Sequence, residues 1–251
     1  DGEAFPSELI YELRDSIIKN DTQRRCFSEE YVKFMKENFE LTRPLRVIVD
    51  CGNGSTCLSA PKVFKALGFD VTILNGNVDP NFPARTADIK PKDLTVLREM
   101  VLSEEADFGV AFDGDGDRFI LIDERGDLHR SDRVGIMLAK HMLPNSNKNK
   151  VVVTLPVSMA AETELKPLGA DVIRVPVGHT FVINGCKKND ALIGMEESGH
   201  LVLADYCLFD DAILPPLKMA EIMCQTNKKL SELASEIPSY PFDEIVFDCS
   251  D

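Results

Sequence analysis

Residues 107–118 read Asp107-Phe108-Gly109-Val110-Ala111-Phe112-Asp113-Gly114-Asp115-Gly116-Asp117-Arg118. The first half is an apolar run of strand length, and the second is a loop that alternates carboxylates with glycines. A run that is apolar on both faces predicts a strand inside a helix-covered parallel sheet. Upstream, 46–50 (RVIVD) reads as another buried strand, followed by a glycine loop at 52–56 and a helix over 57–67 that Gly68 closes. Residues 70–74 (DVTIL) form the next strand and 91–103 the next helix. The order β-α-β-α-β requires crossover connections, hence parallel strands. Residues 118–123 (RFILID) and 127–129 add an antiparallel hairpin around Arg125-Gly126.

The same grammar then repeats. A helix is expected over 131–143, a strand at 150–154 (KVVVT), a helix over 158–167, a strand at 171–175 (DVIRV), a helix over 179–188 and a strand at 191–195 (ALIGM). The two halves share a phrase, Leu67-Gly68-Phe69-Asp70-Val71 against Leu168-Gly169-Ala170-Asp171-Val172. The expectation is two tandem, related α/β domains, each a three-layer α/β/α unit with a mainly parallel sheet, divided near Gly126–Ser131. Ahead of them, 8–19 and 28–39 read as helices, the second with Ser28 as N-cap. Behind them, a helical tail over 208–237 runs to Pro238-Ser239-Tyr240-Pro241, a linker by composition.

Composition narrows the function classes. Apolar residues make up 44% of the 251-residue chain, enough for packed cores, and the formal net charge is −14. No basic stripe for nucleic acid stands out, no apolar run reaches membrane-spanning length, and Asp1–Pro6 shows no secretory pattern. Seven scattered cysteines without a Cys-x-x-Cys fit reduced thiols in a cytoplasmic setting rather than disulfides or zinc.

The loop 113–118 lies past the carboxyl end of a predicted parallel strand, where open α/β sheets place ligands. Three carboxylates converging at ~5 Å would repel by about 3 kcal/mol per pair at an effective dielectric near 20. A hard divalent cation offsets this, and few protein ligands with open positions favour Mg²⁺. Arg118 adds a positive group suited to a phosphate oxygen. An EF-hand is excluded because its sixth position, which must be glycine, is Arg118. An aspartyl-phosphate loop would place Thr or Val at Asp117. The glycine loop Gly52-Asn53-Gly54-Ser55-Thr56 fits neither a dinucleotide fingerprint nor a P-loop. Its amides suit either a phosphate or, the preferred reading, a tight structural turn. In the second half, Pro176-Val177-Gly178-His179-Thr180 and Gly194-Met195-Glu196-Glu197-Ser198-Gly199-His200 each follow a strand. There Glu196 and Ser198 suit sugar hydroxyls, and His179 and His200 suit phosphate contact or proton transfer.

With these loops in hand, the chain resembles the α-D-phosphohexomutases, most closely the phosphomannomutase/phosphoglucomutase branch. The resemblance rests on DGDGDR at 113–118, PVGHT at 176–180, GMEESGH at 194–200 and DDAILPPLKMAE at 210–221, and spans roughly 26–240. It implies a cytoplasmic four-domain isomerase that moves a phosphoryl group between C6 and C1 of mannose or glucose phosphate. By that resemblance Asp113, Asp115 and Asp117 hold Mg²⁺ beside a phosphoserine. Arg118 assists near the phosphate, Gly178, His179, Glu196 and Ser198 face the substrate, and His200 contacts it and helps in proton transfer.

On the same basis, 1–25 is the tail of a preceding domain or a linker helix, and 26–128 the metal-loop domain, second in the family's order. Residues 129–241 are the sugar-recognition domain, third in that order, and 242–251 begin a further domain. The family's Thr/Ala-Ser-His-Asn-Pro serine stretch and Arg/Thr-Ser-Gly-Thr phosphate loop do not occur here. The expectation is therefore a fragment, inactive alone, whose partners are a hexose phosphate and the flanking domains of the same enzyme. Met195 stands where glycine is usual. The alternatives are a non-catalytic Mg²⁺- or phosphosugar-binding module, a phosphoglucosamine mutase, and a calcium-binding structural domain. The paired Glu196-Glu197 favours mannose and glucose phosphates over glucosamine phosphate by resemblance.

Overall fold

The computed structural model describes residues 28–240. Two sheets organise them. The first contains β1 (Arg46–Asp50), β2 (Asp70–Leu74), β3 (Phe108–Phe112), β4 (Phe119–Asp123) and β5 (Leu128–His129) in the order β2-β1-β3-β4-β5. β2, β1 and β3 are parallel, and β4 and β5 return antiparallel. The second contains β6 (Lys150–Thr154), β7 (Asp171–Val175), β8 (Ile193–Met195) and β9 (Leu201–Leu203) in the order β7-β6-β8-β9, parallel except for β9.

Eight helices cover these sheets among the described residues: α1 (Ser28–Asn38), α2 (Ala60–Ala66), α3 (Thr95–Ser103), α4 (Ser131–Met142), α5 (Ala160–Leu165), α6 (His179–Asn189), α7 (Leu214–Thr226) and α8 (Leu230–Ser235). Alternation along each strand decides what packs where. Ile48 of β1 and Ala111 of β3 point to α3, joining Leu97 and Val101. Val47, Val49, Val110 and Phe112 point the other way. In the second sheet Val152 joins Val182 and Cys186 of α6. Val151, Val153 and Met195 face the opposite side and share one continuous core with the first sheet's inner face. α4 lies between the sheets, touching β4 on one side and β8 and β9 on the other. Its Val134, Ile136, Met137, Leu138 and Ala139 are all buried, as expected of a helix covered on several sides. The two halves are therefore held by a shared core, and their strand-end loops have fixed relative positions.

The structure corrects several element limits. The helix expected over 57–67 is a 3₁₀ turn, Ser55–Leu58, followed by α2, with Pro61 in the first turn where its missing N–H costs nothing. The helix expected over 158–167 is α5 alone; Pro167 turns the chain into a 3₁₀ segment, Lys166–Leu168. The tail over 208–237 is not one helix. A strand, β9, precedes it, a loop occupies 204–213, and α7 and α8 are separated at Asn227, whose φ of 53° breaks the ladder. The segments expected at 1–25, 8–19 and 242–251 lie outside the described residues. Among the described residues, no helix is long and apolar enough to cross a membrane, and Cys51, Cys57, Cys186, Cys207 and Cys224 are free thiols.

Candidate active site at the junction of the two sheets

The acidic loop leaves β3 and is shaped by its own first carboxylate. Asp113 is 1% exposed, and its Oδ1 accepts the amides of Gly116 (3.0 Å) and Arg118 (3.2 Å) while Oδ2 accepts Arg118 Nε (2.9 Å). Burial, reinforced by neighbouring Asp117, pushes the Asp113 carboxyl above its ordinary pKa despite these donors. Oxygens of Asp113, Asp115 and Asp117 lie within 4.8 Å of one another. Asp117 Oδ1 is buried without a hydrogen-bond partner. Three convergent carboxylates with one orphaned oxygen fit a hard divalent cation. Arg118 is tied back by Asp113 and by Asp88, whose Oδ1 accepts Nη1 at 2.9 Å.

The glycine loop serves this site as scaffold. Ser55 donates its amide to Gly114 O (2.9 Å) and its hydroxyl to Asp115 O (2.7 Å). A Cβ on Gly54 would sit 2.6 Å from Gly114 O, so only glycine permits this approach. The amide that a phosphate reading would need is spent on the acidic loop, which favours the structural turn.

In the second half, β8 and β9 form a hairpin whose tip is the Glu196–His200 loop, closed by Glu196 N–H to His200 O (3.0 Å). Ser131 Oγ, at the start of α4, donates to Glu196 O at 2.7 Å. Glu196 is 4% exposed and its Oε2 lacks a partner, whereas Ser198 is exposed. Glu197 pairs with Arg130. Gly178 has φ of 130° and opens α6, so His179 is its first residue. Met195 is fully buried with Gly135 of α4 beneath it: a Cβ there would meet Met195 Sδ at 2.8 Å.

The two loops meet. Arg118 and His200 form an antiparallel backbone bridge, and His200 Nδ1 lies 3.6 Å from Asp117 Oδ2. Gly199, at φ 130°, lies against the Arg118 side chain, where a Cβ would come within 2.7 Å. Burial disfavours charge on His200, but Asp210, Asp117 and Glu196 outweigh it and raise its pKa. Asp210 Oδ2 is 2.6 Å from His200 Nδ1 and 3.1 Å from His179 Nδ1. Asp210 is partly buried, which disfavours its charge, yet the close His200 imidazole holds its pKa below the ordinary value. Asp113, Asp115, Asp117, Arg118, His179, Glu196 and His200 are thus distributed around one junction.

Sequence reasoning missed Asp210, Asp88, Arg130 and Arg85. Arg85 forms a buried ion pair with Asp50 (2.9 Å) and donates to Phe112 O, the carbonyl just before the acidic loop. Only the 210–221 stretch carried a sequence signal, for Asp210.

The fold and junction define a pair of α/β/α domains that bring an acidic loop and a polar hairpin together. Two family models match them. Residues 29–126 match phosphoglucomutase/phosphomannomutase alpha/beta/alpha domain II, and residues 130–240 match domain III. The chain belongs to the α-D-phosphohexomutase superfamily. It is 35% identical over 214 residues to a phosphoglucosamine mutase of Methanocaldococcus jannaschii, covering 84% of this chain and 48% of that protein. A phosphoglucosamine mutase of Aliivibrio fischeri is 36% identical over 215 residues, with the same shares covered. A solved phosphoglucomutase/phosphomannomutase family protein from Burkholderia thailandensis superposes with a TM-score of 0.82 at 26% identity, over 92% of this chain and 52% of that one. The chain spans about half the length of the curated relatives it matches.

Proposed function

We propose that this chain supplies the metal-binding and sugar-recognition domains of a cytoplasmic phosphohexomutase, which moves a phosphoryl group between the C6 and C1 oxygens of a hexose phosphate through a phosphoserine on another part of the enzyme. The division falls at residues 128/129. The observation that carries the reading is the Arg118–His200 bridge, which fixes the acidic loop against the sugar hairpin.

In this reading Asp113, Asp115 and Asp117 hold Mg²⁺. The ion, when bound, neutralises charge on the phosphoryl oxygens. Arg118, oriented by Asp113 and Asp88, meets a phosphate oxygen. Glu196 and Ser198 accept and donate to sugar hydroxyls, and the unpartnered Glu196 Oε2 is the acceptor awaiting one. Gly178, at φ 130°, opens α6 so that His179 at its first position faces the substrate. His200, held by Asp210, is placed to move a proton at the reacting oxygen. Arg130, paired with Glu197, and Ser158 line a groove beside the hairpin.

The paired Glu196-Glu197 supports mannose or glucose phosphate. The relatives named phosphoglucosamine mutase support glucosamine phosphate as the second reading. The test is coupled mutase turnover by the complete gene product with mannose, glucose and glucosamine 1-phosphates, with Glu196→Gln and Asp115→Asn alongside. Turnover of one sugar, lost in both variants, is expected. Wild-type turnover in both variants, or normal turnover by the 251-residue chain alone, overturns the proposal.

A further inference from the structure

Asp117, His179, His200 and Asp210 come from four separate segments: the acidic loop, the start of α6, the tip of the β8–β9 hairpin and the loop before α7. One donor atom from each lies within 4.8 Å of the other three. Nitrogens and oxygens bound to a tetrahedral zinc ion at about 2.0–2.1 Å stand about 3.3–3.4 Å apart. The separations here bracket that edge: 2.6 Å for His200 Nδ1 to Asp210 Oδ2, 3.1 Å for His179 Nδ1 to the same oxygen, and 3.6 Å for His200 Nδ1 to Asp117 Oδ2. Two imidazoles crowd one carboxylate oxygen, with their rings 5.2 Å apart. Asp117, the fourth member, keeps a buried Oδ1 that makes no hydrogen bond and has Arg118 Nε at 3.7 Å.

We infer that these four side chains form a second metal site, selective for a borderline transition ion such as Zn²⁺ or Co²⁺ and distinct in chemistry from the all-oxygen acidic loop. Imidazole nitrogen suits those ions and is a poor ligand for Mg²⁺. The three separations named lie within about 0.8 Å of that edge, and no donor pair is more than 4.8 Å apart. Asp117 belongs to both sets, so an ion here competes for it with one held by Asp113 and Asp115. The site stands on this geometry alone. Its consequence, that zinc and hexose phosphate exclude one another, rests on the function proposed above.

The experiment is metal titration of the 251-residue chain, read by the visible spectrum of its Co²⁺ form and by Zn²⁺ displacement of Co²⁺. Intense bands of nitrogen-ligated tetrahedral cobalt are expected, resistant to a large excess of Mg²⁺. His179→Gln and Asp210→Asn should each weaken Co²⁺ binding at least about tenfold, while Asp115→Asn keeps the bands. His179 is half exposed, so its variant tests the site without disturbing the core, and circular dichroism checks the fold of Asp210→Asn. Weak octahedral bands, ready displacement by Mg²⁺, or a spectrum indifferent to His179→Gln overturns the second site. Because no sugar or turnover enters the measurement, its failure leaves the mutase reading untouched.

Discussion

Arg85→Met should cost this protein a large part of its stability. The Asp50 and Arg85 side chains are 4% and 3% exposed, joined at 2.9 Å. Removing the guanidinium leaves a carboxylate inside the first sheet, and breaking a buried pair in this way costs about 3–5 kcal/mol. Asp50 Oδ1 keeps the Gly52 amide (2.9 Å) and Asn75 Nδ2 (2.8 Å), which places the loss near the lower end, about 3 kcal/mol. For a unit of this size that is a fall in Tm of about 6–12 °C. Urea unfolding followed by circular dichroism measures it, with Asp50→Asn and the double variant closing a cycle. The single losses should fail to add, because the neutral amide no longer needs the cation, with a coupling of about 1–3 kcal/mol. A loss below about 1 kcal/mol, as for an exposed pair, or strict additivity would refute the reasoning. Arg85 also holds the Phe112 carbonyl, so the folded fraction of the variant should bind Mn²⁺ more weakly.

Three further outcomes follow from the same geometry. Gly135→Ala should destabilise by about 1–3 kcal/mol through overpacking against Met195, and its loss should fail to add to that of Met195→Ala, which empties the space the new methyl would enter, read by thermal melting. Asp113→Asn should lower stability and divalent affinity together, because Asp113 is buried under three donors; Asp115→Asn, at an exposed side chain, should lower affinity alone, as calorimetry with Mn²⁺ would show. The raised pKa of His200 stabilises the fold below the free-histidine value of about 6.5, and that contribution is lost as pH rises through the higher folded value. Asp210→Asn should therefore lower the His200 pKa in an NMR titration and flatten the fall in stability over that window.

Most strand positions were legible because a buried five-residue strand is a local apolar run. The strands at 46–50, 70–74, 150–154 and 171–175 fall where expected. β9 was not legible, since three residues are too few to show a period, and the helix limits at Pro61 and Pro167 depended on where proline's missing N–H falls in the turn. The acidic loop was readable because alternate carboxylates in a glycine-rich turn carry their meaning within six residues.

The sequence by itself determined the two α/β/α units and the loops that carry oxygen and nitrogen donors, since periodicity and turn chemistry act over a few residues. Only the tertiary structure decided that Arg118 meets His200, that Asp210 gathers two histidines, and that Arg85 braces the acidic loop. Those contacts join residues between 10 and 82 positions apart, from His200–Asp210 through Arg85–Phe112 to Arg118–His200. Their geometry is set by the core the two sheets share around α4, and no local pattern along the chain encodes it.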